Sequence, residues 1–241
     1  MKHKIEILYE DDDLIIVNKP ALFLSIPDRH DSTKPNVLSY LNKRYDKVFT
    51  VHRLDKETSG ILCFAKNEAA HKSLSKQFQE RTVEKIYYVL VDGKVHPTEG
   101  SINQPIAPHP AKPGKMMVSS KGKQSLTTYR VVEQFQTLAL VEANIKTGRT
   151  HQIRVHFEAI GFPLSIDKFY GSRSEFHLSE IKRKKFKLGR NQTERPLMTR
   201  TSLHALSLKL QQPNTQKGLI IEASLPKDFG ALLKQLRKWH K

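Results

Sequence analysis

The sequence predicts a strand-rich α+β fold, and three observations support that prediction. Many short segments alternate apolar and polar residues as strands do, whereas few carry the apolar periodicity of a helix. Neither a GxGxxG nor a GxxxxGKS/T nucleotide-binding signature is present. No internal repeat or charge-free linker divides the 241 residues, so we expect a single domain over residues 1–241.

The first half of the chain alternates predicted strands with two capped helices. Residues 5–9 and 14–18 are predicted strands, and the acidic turn between them lacks EF-hand spacing, so a solvated turn is expected. Asn36 can cap a short helix that ends near Tyr45. The apolar run Ile61–Ala65 predicts a buried strand. Asn67 can then cap a helix with an apolar stripe, which reaches about Arg81.

The predicted strand at residues 84–93 places Tyr87 and Lys85 on one face. A strand tyrosine is ordinarily a core residue, but its ring can also form a stacking platform for a base. Further strands are predicted at residues 126–135, 138–145, 202–210 and 219–223, the first two joined by a hairpin turn. The segment from Leu225 leads into a C-terminal amphipathic helix whose inward residues are Phe229, Leu232, Leu233 and Leu236.

Two segments show no regular periodicity. Residues 94–123 are rich in Pro, Gly and Lys and predict a long, exposed, basic loop. Residues 182–200 carry eight Lys or Arg and one acid, Glu194. This basic insertion is either a solvated, mobile segment or an arm that contacts phosphates.

The composition indicates an anionic partner. Lys and Arg number 41 against 24 acidic residues, which gives a formal net charge of +17. Such an excess favours nucleic acid first and an anionic membrane surface second. No apolar run approaches the roughly 20 residues that span a bilayer, and the N-terminus is unlike a signal peptide. Because Cys63 is the only cysteine, we expect neither an intrachain disulfide nor a multi-cysteine metal site. Together these observations predict a soluble, cytoplasmic protein.

Asp55 is the candidate catalytic carboxylate. It lies in the polar segment Val51–Gly60, and His52, Arg53 and Lys56 surround it with donors and positive charge. Such a residue is either part of a salt-bridged loop or a carboxylate kept ionised as a nucleophile or base. The composition of the segment alone leaves both alternatives open.

A second polar cluster spans Thr147–His156. Thr150 can cap a helix that reaches Ile160, and His151 and Arg154 would lie within one turn of each other. These two side chains could face a shared anion, or they could belong to a salt-bridged helix start.

Several blocks in this order resemble the RluA-type RNA pseudouridine synthase family. They are Asp13–Pro20, His52–Gly60, Lys85–Tyr87, Thr147–Arg154 and Leu203–Ala205. The chain departs from the family pattern at Ile166, where a glycine usually precedes Asp167, and a changed local turn is expected there. No separate N-terminal RNA-binding domain of the kind that many relatives carry is expected before Ile5.

The resemblance implies a fold and a reaction. The fold is a mixed, mainly antiparallel twisted sheet in two halves that flank a basic catalytic cleft. The reaction converts a uridine within RNA to pseudouridine: the C1′–N1 bond breaks, the uracil rotates and a C1′–C5 bond forms. No cofactor and no metal are needed. Asp55 would either attack the sugar or the base covalently, or remove the sugar C2′ proton to give a glycal. The sequence does not choose between these routes.

The resemblance also implies roles for single residues. Arg154 would hold Asp55 in an ion pair, and Tyr87 would stack on the uracil and could assist proton transfer. Arg53 would fill the space of the extruded nucleotide or contact the RNA backbone. Arg149 is the second choice, after Arg154, for the ion pair with Asp55, and its alternative role is a contact with phosphate. The candidate substrate-binding residues are Arg53, His52, Lys85, Arg149, His151 and Gln152.

The expected partner is RNA, with ribosomal RNA favoured over transfer RNA. Binding to DNA or to a membrane is not expected, and the protein is expected to be a monomer. Two rival functions stay open at this point. One is a non-catalytic RNA-binding or ribosome-assembly protein that keeps the fold. The other is a DNA-binding or membrane-binding basic protein, although no recognition-helix motif or basic amphipathic helix with interfacial aromatic residues is evident.

Overall fold

A computed structural model describes residues 5–189 and 192–240. It confirms an α+β fold with a mixed, mainly antiparallel sheet. The chain divides into two compact units, one of Met1–Tyr87 with His204–Ser224 and the other of Tyr88–Leu203 with Leu225–Lys241. One domain over residues 1–241 stays a prediction.

The strands of the first unit form mainly antiparallel pairs. In chain order its elements are β1 (Glu6–Glu10), β2 (Leu14–Lys19), α1 (Val37–Leu41), β3 (Phe49–Thr50), β4 (Ser59–Ala65), α2 (Glu68–Gln79), the start of β5 (Glu84–Asp92), and, after the second unit, β11 (Leu203–Gln211) and β12 (Gly218–Glu222). Strand β2 pairs antiparallel with β1 and β4, while β12 pairs antiparallel with β11. Strand β4 also runs parallel to β11, which makes the sheet mixed.

Local sequence explains the helices of this unit. The side chains of Asn36 and Asn67 accept the backbone N–H of Ser39 and Ala70, so both predicted N-caps are confirmed. Helix α1 ends at Leu41, before the predicted end near Tyr45. Helix α2 packs its apolar face, including Leu74, into the core under β4.

Gly60 is required where β4 meets β11. Its φ is +112°, and a Cβ atom at this position would lie 2.1 Å from the carbonyl oxygen of Ala205. Nearby, His204 is buried between Ser59 and Ala223, with Nδ1 2.9 Å from Ser59 Oγ and Nε2 3.2 Å from the Ala223 carbonyl. Because a carbonyl only accepts, Nε2 carries the proton and Nδ1 accepts from the Ser59 hydroxyl.

The second unit begins at Tyr88, within β5. Its other elements are β6 (Glu99–Asn103), β7 (Ile106–Pro108), β8 (Met116–Val118), β9 (Leu126–Gln134), β10 (Leu138–Ile145), α3 (Gln152–Ala159), α4 (Leu178–Lys182) and α5 (Lys227–Trp239). Strand β9 pairs antiparallel with β6 and β10, and β7 with β8. Helix α5 buries Phe229, Leu232, Leu233 and Leu236, as predicted.

One sequence prediction needs correction here, and another stays open. The prediction of a long loop at residues 94–123 is wrong, because β6, β7 and β8 lie within it. The basic run at residues 182–200 begins at the end of α4 and continues as a 3₁₀ turn at Arg183–Lys185. Residues 190–191 of this run lie outside the described residues. Among the residues that are described, no helix is long and apolar enough to cross a membrane.

Candidate active site

Asp55 lies half-buried on the connection between β3 and β4. Its carbonyl accepts the N–H of Thr58, which closes a turn. The preceding residue, Leu54, is held by Ser25: the Ser25 hydroxyl donates to the Leu54 carbonyl at 2.9 Å and accepts the Leu54 N–H at 3.0 Å. The backbone on the N-terminal side of Asp55 is therefore fixed to the loop after β2.

Lys19 fixes the other side of Asp55. This lysine is fully buried, and its Nζ donates to the carbonyls of Phe23 at 2.7 Å, Pro20 at 3.1 Å and Lys56 at 3.2 Å. The Lys56 carbonyl also accepts the N–H of Leu22. A buried ammonium group needs such partners, because burial without them costs several kcal/mol. Lys19 thus ties both loops together next to Asp55.

Tyr87 is a buried residue of β5. Burial, and then the negative charge of Asp55, raise the pKa of its phenol above the usual value. The two predicted catalytic residues of the first unit are therefore electrostatically coupled. With this raised pKa the phenol keeps its proton at neutral pH, so it is suited to donate a hydrogen bond rather than to act as a base.

His52 has a structural position within the Asp55 segment. Its Nε2 accepts the backbone N–H of Cys63 at 3.0 Å, and its ring stacks on Phe78 with 4.8 Å between centroids. Burial, and then the charge of Lys85, lower the pKa of His52 to about 3. The ring is thus neutral at physiological pH, which suits an acceptor at Nε2. Lys85 lies beside it, with Nζ 5.8 Å from the Phe78 centroid.

Arg53 differs from its neighbours because its side chain is exposed. Within the described part of the chain it makes no hydrogen bond or ion pair, so its guanidinium can reach a bound ligand. Arg53 therefore precedes the fixed backbone of Leu54, while its own exposed side chain is free to change conformation.

Arg154 lies on α3, in the second unit, where Asp167 binds it in a bidentate ion pair. Nε donates to Oδ2 at 2.6 Å and Nη2 donates to Oδ1 at 2.8 Å, and both side chains are buried. Asp167 Oδ1 also accepts the N–H groups of Phe169 and Tyr170. Two parallel hydrogen bonds fix the plane of the guanidinium as well as its position.

Aromatic rings surround the same guanidinium. Its central carbon lies 5.0 Å from the ring centroid of Tyr170 and 5.6 Å from that of Phe169. Tyr170 is buried, and its hydroxyl lies 2.9 Å from His151 Nδ1. His151 and Arg154 therefore meet at one tyrosine, as their spacing suggested, whereas Phe169 is 51% exposed and presents its ring to solvent.

The start of α3 differs from the prediction. The N-cap is His151, in a left-handed conformation with φ of 56°, and not Thr150. Gln152 holds this turn: its Oε1 accepts from the Thr147 hydroxyl and the Arg149 N–H, while its Nε2 donates to the Leu126 carbonyl. Because Gln152 is buried and bonded at both ends, its role here is to shape the turn.

Arg149 lies on that turn, where its Nε donates to the Gln124 carbonyl at 3.3 Å. Its side chain is part-exposed, unlike that of Gln152. The turn held by Gln152 thus presents Arg149 and His151 from adjacent positions of the chain.

Sequence reasoning missed three residues of these sites: Lys19, Asp167 and Tyr170. Lys19 lies in the block Asp13–Pro20 and Asp167 follows the departure at Ile166, but only the tertiary structure reveals their partners. Burial of a charged side chain is the signal that marks both, and it is not visible in a single sequence. The departure at Ile166 is accommodated: this residue is buried in the core and is not among the described residues with positive φ.

Comparisons with known proteins identify the family of this chain. The family model described as RNA pseudouridylate synthase matches residues 13–159, a range that contains Asp55, Tyr87 and Arg154. An uncharacterized RNA pseudouridine synthase of Aquifex aeolicus is 43% identical over 180 residues, which cover 70% of this chain and 57% of that protein. The ribosomal large subunit pseudouridine synthase D of Nitrosomonas europaea is 37% identical over 240 residues, or 97% of this chain and 65% of that protein.

The chain thus spans less than two thirds of the length of either relative. Among solved structures, the human protein titled RNA Pseudouridylate Synthase Domain Containing 1 has a TM-score of 0.68 and is 27% identical. That alignment covers 97% of this chain and 95% of the human chain.

Proposed function

Because the chain belongs to the RNA pseudouridylate synthase family, we propose that it isomerises specific uridines in structured RNA to pseudouridine. The observation that carries this proposal is the match of the family model to residues 13–159, in which Asp55 follows a backbone fixed by Ser25 and Lys19. A carboxylate with fixed flanking backbone and a protonated phenol beside it suit a reaction that breaks and remakes a glycosidic bond without a cofactor.

Ribosomal RNA of the large subunit is the proposed substrate, and transfer RNA is the alternative. Support comes from the relative in Nitrosomonas europaea, whose name specifies the ribosomal large subunit. The net charge of +17 suits a large polyanion. We also propose that the protein acts on RNA rather than DNA or a membrane, as a monomer in the cytoplasm.

Asp55 is the proposed essential group. In one route its carboxylate attacks the substrate covalently, and in the other it removes the sugar C2′ proton to give a glycal. Both routes break the C1′–N1 bond, let the uracil rotate in the pocket and form a C1′–C5 bond, after which C5 loses its proton and N1 gains one. The glycal route also returns the proton to C2′. Tyr87 stacks on the uracil in this proposal, and its protonated hydroxyl donates a hydrogen bond to the base.

Arg154 is proposed to pair with Asp55, as the family resemblance implies. The carboxylate of Asp167 holds Nε and Nη2 of the arginine, which fixes the guanidinium for this role. An ion pair of this kind favours the charged form of a catalytic carboxylate in a partly desolvated site.

RNA contacts are assigned to the exposed or part-exposed cations. Arg53 takes the space of the extruded nucleotide or contacts its backbone, and Arg149, His151 and Lys85 contact phosphates or the base. Extrusion of the base costs a few kcal/mol, which these contacts offset. His52 and Gln152 contribute by shaping the segments that carry their neighbours.

The test is pseudouridine mapping of ribosomal and transfer RNA from cells with the protein, without it, and with Asp55→Asn. Asp55→Asn should abolish the modification at each site that depends on the protein. Asp46→Asn is the matched control, because Asp46 is an exposed aspartate that is given no role here. If Asp55→Asn leaves the pseudouridine level unchanged in every RNA, the enzymatic function is rejected and a non-catalytic RNA-binding function is favoured.

A further inference from the structure

Three lysines surround the only tryptophan of the chain, Trp239, at the end of α5. The Nζ atoms of Lys182, Lys238 and Lys185 lie 5.1, 5.2 and 5.7 Å from the centroid of its rings. Trp239 packs partly against the core of the second unit and remains partly exposed. These four residues are called the Trp239 surface.

The Trp239 surface carries the positive charge of three lysines. Within the residues that the structure describes, none of its three lysines forms an ion pair with a carboxylate. Two acids of this unit already have partners elsewhere, since Glu133 pairs with Arg237 and Asp228 pairs with Arg200. No ion pair with a carboxylate of the described residues therefore offsets the repulsion among the three lysines.

Helix dipoles explain only part of this arrangement. A cation in the last turn of a helix is favoured, which accounts separately for Lys238 on α5 and Lys182 on α4. It does not account for Lys185, which lies on the 3₁₀ turn, nor for the convergence of all three lysines on one ring. Aromatic rings interleaved with cations are typical of surfaces that bind single-stranded nucleic acid.

We propose that the Trp239 surface is a second RNA-binding site, which holds phosphates and an unpaired base outside the catalytic site. The lysines bind the phosphates, and the exposed part of Trp239 stacks on the base. This inference rests on the proposed function, because it takes the substrate RNA as the ligand. A membrane fits less well: Leu188 is the one exposed large apolar residue described in the neighbouring basic run, and a lone exposed leucine is ordinary.

The first experiment is charge reversal in the full chain. Lys182→Glu, Lys185→Glu and Lys238→Glu together should weaken binding of an unmodified large-subunit ribosomal RNA transcript at least about 10-fold. The slope of log affinity against log salt should fall by about one per lysine. The control carries the same charge change at three other exposed lysines, Lys72, Lys217 and Lys234, and should have a smaller effect on both quantities. Equal effects in the two triple variants would overturn the proposal.

A milder set of substitutions keeps the comparison possible if the charge-reversal variant does not fold. If the glutamate triple fails to fold by circular dichroism, the same lysines are replaced by glutamine and compared with the matched glutamine control. Turnover at saturating RNA should stay near wild type in the folded variants, because the surface is proposed to bind and not to react. A large loss of turnover at saturation, with affinity unchanged, would contradict the assignment.

Fluorescence of Trp239 supplies an independent measurement, since no other tryptophan contributes. Its emission should be quenched by the transcript and restored by salt, and no change upon binding would overturn the stacking contact. Vesicles of phosphatidylserine and phosphatidylcholine are the second probe, and lysine-dependent vesicle binding that RNA does not displace would overturn RNA as the partner. If wild type forms no pseudouridine yet binds RNA through these lysines, the proposed activity fails while the surface stands.

Discussion

Arg154 and Asp167 form a buried ion pair whose disruption should be measurable in both stability and activity. Their side chains are 6% and 0% exposed, so neither charge is solvated when its partner is removed. Asp167→Asn keeps Oδ1, which accepts the N–H groups of Phe169 and Tyr170, and removes the negative charge. Removal of one member of a buried pair costs about 3–5 kcal/mol, a large part of the ~5–15 kcal/mol that stabilises a folded domain.

The reciprocal and double variants measure the interaction energy between Arg154 and Asp167 separately from the contacts that each makes with other residues. Arg154→Met leaves the carboxylate of Asp167 buried without this partner, and we expect a similar loss. The double variant Arg154→Met with Asp167→Asn leaves neither charge, so it should be at least about 2 kcal/mol more stable than the sum of the single losses predicts. Urea unfolding followed by circular dichroism measures all four proteins.

Activity distinguishes orientation from stability in the same set. Asp167→Asn keeps the arginine but loosens the bidentate hold, and displacement of a catalytic group by about 1 Å can cost about 100-fold in turnover. The double variant should be more stable than additivity predicts and still inactive. Two results would refute this reasoning: free-energy losses that add within about 0.5 kcal/mol, or full turnover by Asp167→Asn below its unfolding transition.

Two further predictions concern residues near Asp55. Lys19→Met should lower stability by about 2–3 kcal/mol and reduce turnover with little change in RNA affinity, because the carbonyls of Pro20, Phe23 and Lys56 lose the ammonium donor that they share next to the Asp55 loop. Urea unfolding and single-turnover assays measure these effects, and wild-type values in both would contradict this prediction. His52 has a pKa lowered to about 3 in the folded protein and near 6.5 when unfolded, so only the unfolded state takes up its proton between these values. Stability present above pH 6.5 should therefore fall by about 2 kcal/mol at pH 5 through this residue. His52→Gln, which can still accept the Cys63 N–H, should lose that part of the pH dependence, and an unchanged profile would show that His52 does not cause it.

Elements with local signals were predicted well from the sequence. The asparagine caps at Asn36 and Asn67 and the apolar face of α5 follow from side-chain chemistry within a few residues of the chain. The strands at residues 94–123 were missed because their pairing is not local: β6 aligns with β9 about 30 residues away, and proline and glycine interrupt the pattern.

Prediction of the candidate sites shows the same division. Asp55 and Tyr87 were predicted because the segments around them match an ordered family pattern, and their roles stay a prediction. Lys19 and Asp167 were not found because their importance lies in burial and in partners distant in sequence. Thr150 was predicted as an N-cap from its residue type, but the left-handed conformation of His151 begins the helix instead.

The cations of this protein fall into two physical classes, and the classes predict different kinetic effects. Lys19 and Arg154 are buried and held by carbonyl or carboxylate oxygens, so their positions are fixed before a substrate arrives. Fixed groups lower the barrier of a reaction because no reorganisation is required at the transition state. Lys182 and Lys238 are more accessible and have no carboxylate partner among the described residues, so they can adapt to a phosphate. Substitution of a fixed cation should therefore change turnover, whereas substitution of an adaptable one should change affinity and its salt dependence.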